Sequence, residues 1–268
     1  MGQTTEKSTN EPARGARYTE ETILERRDWA PRLFSFRTTR HPGFRFTAGQ
    51  FARIGLPGAD GKPVWRAYSI VSAPYDTHLE FYSIVVPEGE FTPKLAERHE
   101  GDAVLIEKTN YGFLTPDRFA PGRDLWMLST GTGLAPFLSI LAEPQPWQDF
   151  ENLILVHSVR HANELAYQRE IGELRDHPLV GEHSHRLRYV PVVTREPVEG
   201  ALGERITTLI ASGELGRHTG LELSTDCSRF MVCGNPEMVD DVRALLQERG
   251  FRVSRRSNPG HMVFENYW

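Results

Sequence analysis

Thr130-Gly131-Thr132-Gly133-Leu134-Ala135-Pro136 reads as the end of a strand entering a helix through a glycine-rich loop. Glycine allows the tight turn and a close backbone approach to a ligand, and the N–H groups opening a helix attract phosphate oxygens. The pattern resembles a dinucleotide fingerprint in which Pro136 stands in place of the third glycine. A turn that only packs a helix on a sheet is the competing account. At the next strand end, Val156-His157-Ser158-Val159-Arg160 puts an arginine where an NAD site carries an acid for the ribose 2′-hydroxyl; arginine suits a 2′-phosphate instead. Thr194-Arg195 ends the following strand and Arg205 starts a helix, so three arginines can converge on one phosphate. Each charge-assisted contact contributes roughly 1.5–3 kcal/mol, enough to favour NADP by about tenfold or more. Solvated surface arginines are the alternative.

The first half carries Arg66-Ala67-Tyr68-Ser69 within a strand pattern. Arginine offers a fork for pyrophosphate, tyrosine a flat face for stacking, and serine a hydroxyl for a polar ring edge. Strand alternation sets Arg66 and Tyr68 on the face opposite Ala67 and Ser69; an ordinary strand explains the same letters. Cys233-Gly234-Asn235-Pro236 ends a strand and opens a helix, where a small buried thiol is also common. The two cysteines, Cys227 and Cys233, are too few for a disulfide scaffold, a four-thiolate metal site or an iron–sulfur cluster, and their use fits a reducing cytoplasm. His183 and His185 have no accompanying ligand set, so no metal is expected.

These residues need two kinds of scaffold. The 268-residue length suggests two domains, and 39% hydrophobic residues can fill their cores. A net charge of −5 argues against a nucleic-acid binder. Residues 1–16 read as a polar, disordered tail without a secretory signal. Short strand patterns then cover 17–29, 33–39, 50–56, 64–72, 78–86 and 103–108, as in an antiparallel barrel over 17–120. One helix interrupts them, with Thr92 as N-cap and Pro93 in its first turn. Over 121–268, strands at 125–130, 153–158, 187–193 and 229–233 alternate with helices near 135–142, 165–175, 205–211 and 236–249. That alternation predicts an α/β doubly wound parallel sheet. Residues 125–142 lack any charge, a length at the lower limit of a membrane span. The polar glycine-rich middle and Pro136 make a buried strand, loop and helix the better reading, so no membrane insertion is expected.

Arg66-Ala67-Tyr68-Ser69, Gly89-Glu90-Phe91-Thr92, the Gly131–Pro136 loop, Cys233-Gly234-Asn235-Pro236 and a terminal Tyr267-Trp268 occur in that order. In this the chain resembles the bacterial ferredoxin/flavodoxin–NADP(H) reductases of the plant-type superfamily, from about residue 17 to the end. The resemblance implies an FAD-binding antiparallel barrel followed by an NADP(H)-binding domain. It further implies hydride exchange between nicotinamide C4 and flavin N5, and one-electron transfer to a carrier. It assigns non-covalent FAD to Arg66, Ala67, Tyr68, Ser69, Glu90, Phe91, Thr92, Thr130, Tyr267 and Trp268. It assigns NADP(H) to Gly131, Thr132, Gly133, Arg160, Thr194, Arg195, Arg205, Cys233 and Gly234, with Ser69, Cys233 and Glu265 at the reacting centre. Tyr267-Trp268 resembles the enterobacterial-type branch, whereas Gly133-Leu134-Ala135 follows the wider superfamily. An acidic ferredoxin or flavodoxin is the implied partner of a cytoplasmic monomer, steered by Arg249, Arg252, Arg255 and Arg256; a solvated turn explains these arginines equally well. The alternatives are an oxygenase reductase component, a free-flavin reductase or a non-catalytic nucleotide-binding protein.

Overall fold

A computed structural model describes residues 17–58 and 61–266. The expected tail over 1–16 and the Tyr267-Trp268 terminus lie outside the described residues.

The first half forms strands β1 (Tyr18–Ala30), β2 (Leu33–Thr39), β3 (Phe51–Pro57), β4 (Pro63–Ser69), β5 (His78–Ile84) and β6 (Ala103–Glu107). They make one antiparallel sheet in the order β4-β3-β6-β1-β2-β5. The edge strands meet where Ile70 bridges to Phe81, which curls the sheet into a barrel and protects its edges. This crossing also ends β4 at Ser69, earlier than its apolar letters suggest: the Ile70 and Val71 amides bond Gln50 and Glu80 instead. Alternation is visible in β6, where Val104 and Ile106 point inward to Phe34, Phe36, Ile54 and Phe81. Helix α1 (Thr92–Ala96) corrects one expectation. Its cap is Phe91, and the Thr92 hydroxyl instead accepts the Val86 N–H at 2.8 Å, closing the loop that leads to the helix.

The second half builds a parallel sheet in the order β11-β10-β7-β8-β9. Its strands are β7 (Asp124–Thr130), β8 (Asn152–Val159), β9 (Leu187–Val193), β10 (Ser228–Gly234) and β11 (Met262–Asn266). Both faces are covered, so the strands are continuous apolar runs and not alternating ones. Leu125, Met127, Leu155 and Met231 pack towards α2 (Ala135–Ala142), α3 (Pro144–Asp149) and α4 (Gln168–Glu173). Trp126, Leu128, Val156 and Val232 face α5 (Ile206–Ala211), α6 (Glu214–Thr219) and α7 (Pro236–Glu248). The charge-free window is thus β7, a 3-10 turn at Gly131–Leu134, and α2. No described helix is long and apolar enough to cross a membrane. Helix α4 is shorter than the apolar pattern over 165–175 because Tyr167 adopts φ 61° and restarts the chain direction there. Helix α3 was hidden by its two prolines, which a first helical turn tolerates.

Candidate functional site

Two of the sequence motifs interlock. Gly133 presses its missing side chain against the Cys233 carbonyl, where a Cβ would lie 2.3 Å from the oxygen. Gly234, at φ 137°, meets Thr130 in the same way, and a Cβ there would fall 2.1 Å from Thr130 Oγ1. The Asn235 N–H donates to that hydroxyl at 2.8 Å, while Asn235 Oδ1 accepts the Met238 N–H and caps α7. The carboxyl ends of β7 and β10 are therefore locked together, and both loops start helices at the same edge of the sheet. Gly131 differs: it has φ 51° and no atom near its absent Cβ, so its backbone faces open space.

That space is a cleft of about 570 Å³ between the two halves. Of the residues expected to hold a nucleotide, Gly131, Thr132, Arg160, Thr194, Arg195, Arg205 and Gly234 line it, together with Thr130. Gly133 and Cys233 are buried under the interlock and do not. Arg160 and Arg195 come together because β8 and β9 end side by side, and Arg205 joins the lining as the residue that opens α5. The Thr194 N–H and hydroxyl both bond the Val159 carbonyl, and the Arg195 N–H bonds that of Arg160 at 3.0 Å. Glu164 accepts the Arg160 and His161 amides, and Glu196 that of Ala162, fixing the loop after β8. Three guanidinium groups, a hydroxyl and an open glycine backbone are a donor set suited to a phosphorylated dinucleotide.

The barrel side is less complete. Arg66 is exposed and donates to the carbonyl of its neighbour Trp65, which leaves the fork accessible for a pyrophosphate. Ala67 is exposed beside it. Tyr68 is buried against Phe81 and Phe91, shares a hydrogen bond with Ser83 at 3.0 Å, and is pushed up to about 12 by burial, so it stays neutral. Phe91 lies in the barrel core, Glu90 is exposed, and Thr92 is engaged with Val86. The Ser69 hydroxyl faces Glu265 Oε2 at 3.5 Å, the outer limit of a hydrogen bond, across the two halves. Glu265 keeps a little exposed surface, but protein surrounds most of it, and desolvation pushes its carboxyl up to about 8. An exposed fork, a small residue and a hydroxyl–carboxyl pair at one end of β4 are groups that fit a flavin dinucleotide.

Strand register adds a residue that carried no role in the motifs. Glu265, Cys233, Ser129 and His157 lie in one row across β11, β10, β7 and β8, on the face turned to the barrel. His157 is completely buried, and the Gly131 backbone is the polar group its ring faces. Burial pushes it down to about 4, slightly offset by the Gly131 backbone nearby, so the ring is neutral. Its letters sit in an apolar run, and only the pairing of β8 with β7 brings it under the loop. Arg32, Leu33 and Ile84, which line the cleft from the barrel, were also missed, because no local signal says that a hairpin reaches another domain. No group of potential metal ligands occurs among the described residues. Among the basic cluster, Arg249 bonds the Ile210 and Ala211 carbonyls at the end of α5, while Arg252, Arg255 and Arg256 stay exposed.

The family model described as the oxidoreductase NAD-binding domain matches residues 127–244. The ferredoxin–NADP reductase of Pseudomonas aeruginosa is 43% identical over 252 residues, covering 92% of this chain and 96% of that protein. The flavodoxin/ferredoxin–NADP reductase of Escherichia coli is 42% identical over 247 residues, covering 92% and 97%. A crystal structure of a ferredoxin NADP+ reductase from Neisseria gonorrhoeae, with bound FAD and NADP, superimposes with a TM-score of 0.88 at 38% identity, covering 94% of this chain and all of that one.

Proposed function

The chain belongs to the ferredoxin/flavodoxin–NADP reductase family, and from that premise we propose which of its residues carry the reaction. The protein is an FAD-dependent oxidoreductase that passes electrons between NADP(H) and ferredoxin or flavodoxin. FAD, when bound, supplies the exchange between two-electron and one-electron chemistry. The chain's own task is to bind, orient and shield. The FAD-binding half runs to about residue 120 and the NADP(H)-binding half follows it.

In the second half, Arg160, Arg195 and Arg205 hold the 2′-phosphate, with Thr194 fixing the strand end between them. Gly131 and Thr132 offer backbone N–H groups to the pyrophosphate. Gly133, Gly234 and Cys233 act by packing: they hold the loop against β10 and so set its height. In the barrel, Arg66 holds the FAD pyrophosphate, Ala67 lets the cofactor lie close to β4, and Tyr68 and Ser69 flank its ring. Glu90, Phe91 and Thr92 shape the loop that covers it, and Thr130 approaches from the other half. Ser69 and Glu265 keep a proton at the ring edge, since a carboxyl pushed up to about 8 is protonated at neutral pH. The carrier is acidic and docks near the exposed Arg252, Arg255 and Arg256.

The observation that supports this reading most is the convergence of three arginines and an open glycine loop in one cleft. The test starts with colour: purified protein should carry FAD absorption that NADPH bleaches anaerobically, followed by reoxidation with a ferredoxin or flavodoxin. Flavin that NADPH leaves oxidised, or a reduced enzyme inert to every carrier from the same cell, would reject it. Equal efficiency with NADH and NADPH would remove the arginine assignment.

A further inference from the structure

The barrel sends one hairpin turn into the nucleotide cleft. Ala30 pairs with Leu33, so Pro31 and Arg32 alone connect β1 to β2. Proline sets the first turn position near −65°. Arg32 takes φ 69°, a left-handed value that such a turn normally gives to glycine or asparagine. Among the described residues, Tyr167 is the one other non-glycine with positive φ. The Arg32 carbonyl accepts the Val85 N–H at 2.7 Å, pinning the turn to the end of β5. Its side chain is exposed and has no hydrogen-bond or ion-pair partner among the described residues.

A strained backbone held at a binding cleft is a signal of function, and here the strained residue is a cation. Arg32 lines the same cleft as Gly131, Thr132 and the three nucleotide-half arginines, and it is the one cation the barrel contributes to that lining. Arg160 and Arg195 follow the ends of β8 and β9 and Arg205 precedes α5, while the Gly131–Leu134 turn carries no charge of its own. Four carboxylates, Glu164, Glu204, Glu237 and Asp241, also line the cleft. Without Arg32 they would outnumber the cations, which is unfavourable for a ligand as anionic as NADP(H). We infer that Arg32 binds the pyrophosphate of NADP(H) and so ties the barrel hairpin to the nucleotide half when the dinucleotide is bound. This rests on the reductase reading above.

Arg32→Asn removes the cation while tolerating the left-handed backbone, and Arg32→Lys keeps the charge. The FAD-loaded enzyme and both variants are titrated with NADP+ and with adenosine 2′-monophosphate, which carries the 2′-phosphate but no pyrophosphate. Arg32→Asn should weaken NADP+ about tenfold, lower the salt dependence of its binding, and leave adenosine 2′-monophosphate unaffected; Arg32→Lys should recover most of the affinity. Unchanged NADP+ affinity in Arg32→Asn overturns the inference. So does equal weakening of adenosine 2′-monophosphate, which would put Arg32 on the other phosphate. A parent enzyme that binds neither ligand fails the reductase reading itself, before any variant is compared.

Discussion

The places of Arg160 and Arg195 in the cleft were legible because both follow the end of a parallel strand, where a chemical rule puts the groups proposed to meet a 2′-phosphate. Replacing both with alanine should raise the KM for NADPH by tenfold or more while changing that for NADH little, as steady-state kinetics on both cofactors would show. An equal rise for both would mean that the pair supports the fold. Glu265 was legible as a position but not as a charge state, because its desolvation comes from a barrel about two hundred residues away in sequence. Its folded carboxyl titrates near 8 against an ordinary value of 4.5. Between these pH values the folded protein binds the proton more tightly than the unfolded chain, so stability from this group is complete below 4.5 and is lost as pH rises to 8. His157 runs the other way. Its folded value near 4 lies below the ordinary 6.5, so stability rises from pH 4 to 6.5. The two slopes oppose each other below 6.5 and leave Glu265 alone above it. Urea midpoints should therefore fall between pH 6.5 and 8, and Glu265→Gln should flatten that limb.

At the scale of elements, the strand–loop–helix at 125–142 could be read from glycine, proline and the absence of charge. The division of labour among its glycines could not, since it depends on β10, which pairs with β7 across a long gap in sequence. A methyl group at Gly133 must displace the Cys233 carbonyl, a rigid backbone neighbour, and Gly133→Ala should cost about 3 kcal/mol or more. Gly131→Ala meets no atom and only strains φ, at about 1–2 kcal/mol. Its methyl would project into the cleft proposed to take the dinucleotide, so on that proposal NADP(H) affinity should drop while stability changes less. Denaturant unfolding and NADP+ titration on the two variants should thus rank them in opposite orders. If Gly133→Ala were as stable as the parent, the interlock of the two loops would not be a constraint on the fold.

For the molecule as a whole, the question is what holds two separately built halves at a fixed distance. Length foretold two units, but their contact is made from residues with no motif. Tyr167, at the left-handed start of α4, donates its hydroxyl to Glu80 Oε1 at 2.8 Å, and Arg37 binds the other carboxylate oxygen at 2.8 Å. The Trp29 ring lies 4.4 Å from Tyr167, the Arg27 guanidinium covers that indole at 3.5 Å, and Arg27 reaches Glu170 at 2.5 Å. Three side-chain contacts, Tyr167 with Glu80, Trp29 with Tyr167 and Arg27 with Glu170, thus join barrel to nucleotide half within one small cluster. Tyr167→Phe keeps the ring contacts with Trp29 and Tyr82 and removes one hydrogen bond to a buried carboxylate that retains Arg37. The loss should be about 1–3 kcal/mol, and it falls on a hydrogen bond between the halves while the ring stays in the core that they share. Urea unfolding followed by flavin release for the barrel and by far-ultraviolet dichroism for the helices should coincide in the parent and separate in the variant. Coincident transitions at an unchanged midpoint would show that the cluster does not couple the halves, and would leave that task to the other contacts between them, such as Ser139 with the Ser72 carbonyl, Tyr75 with the Ala142 carbonyl, and Ser69 with Glu265.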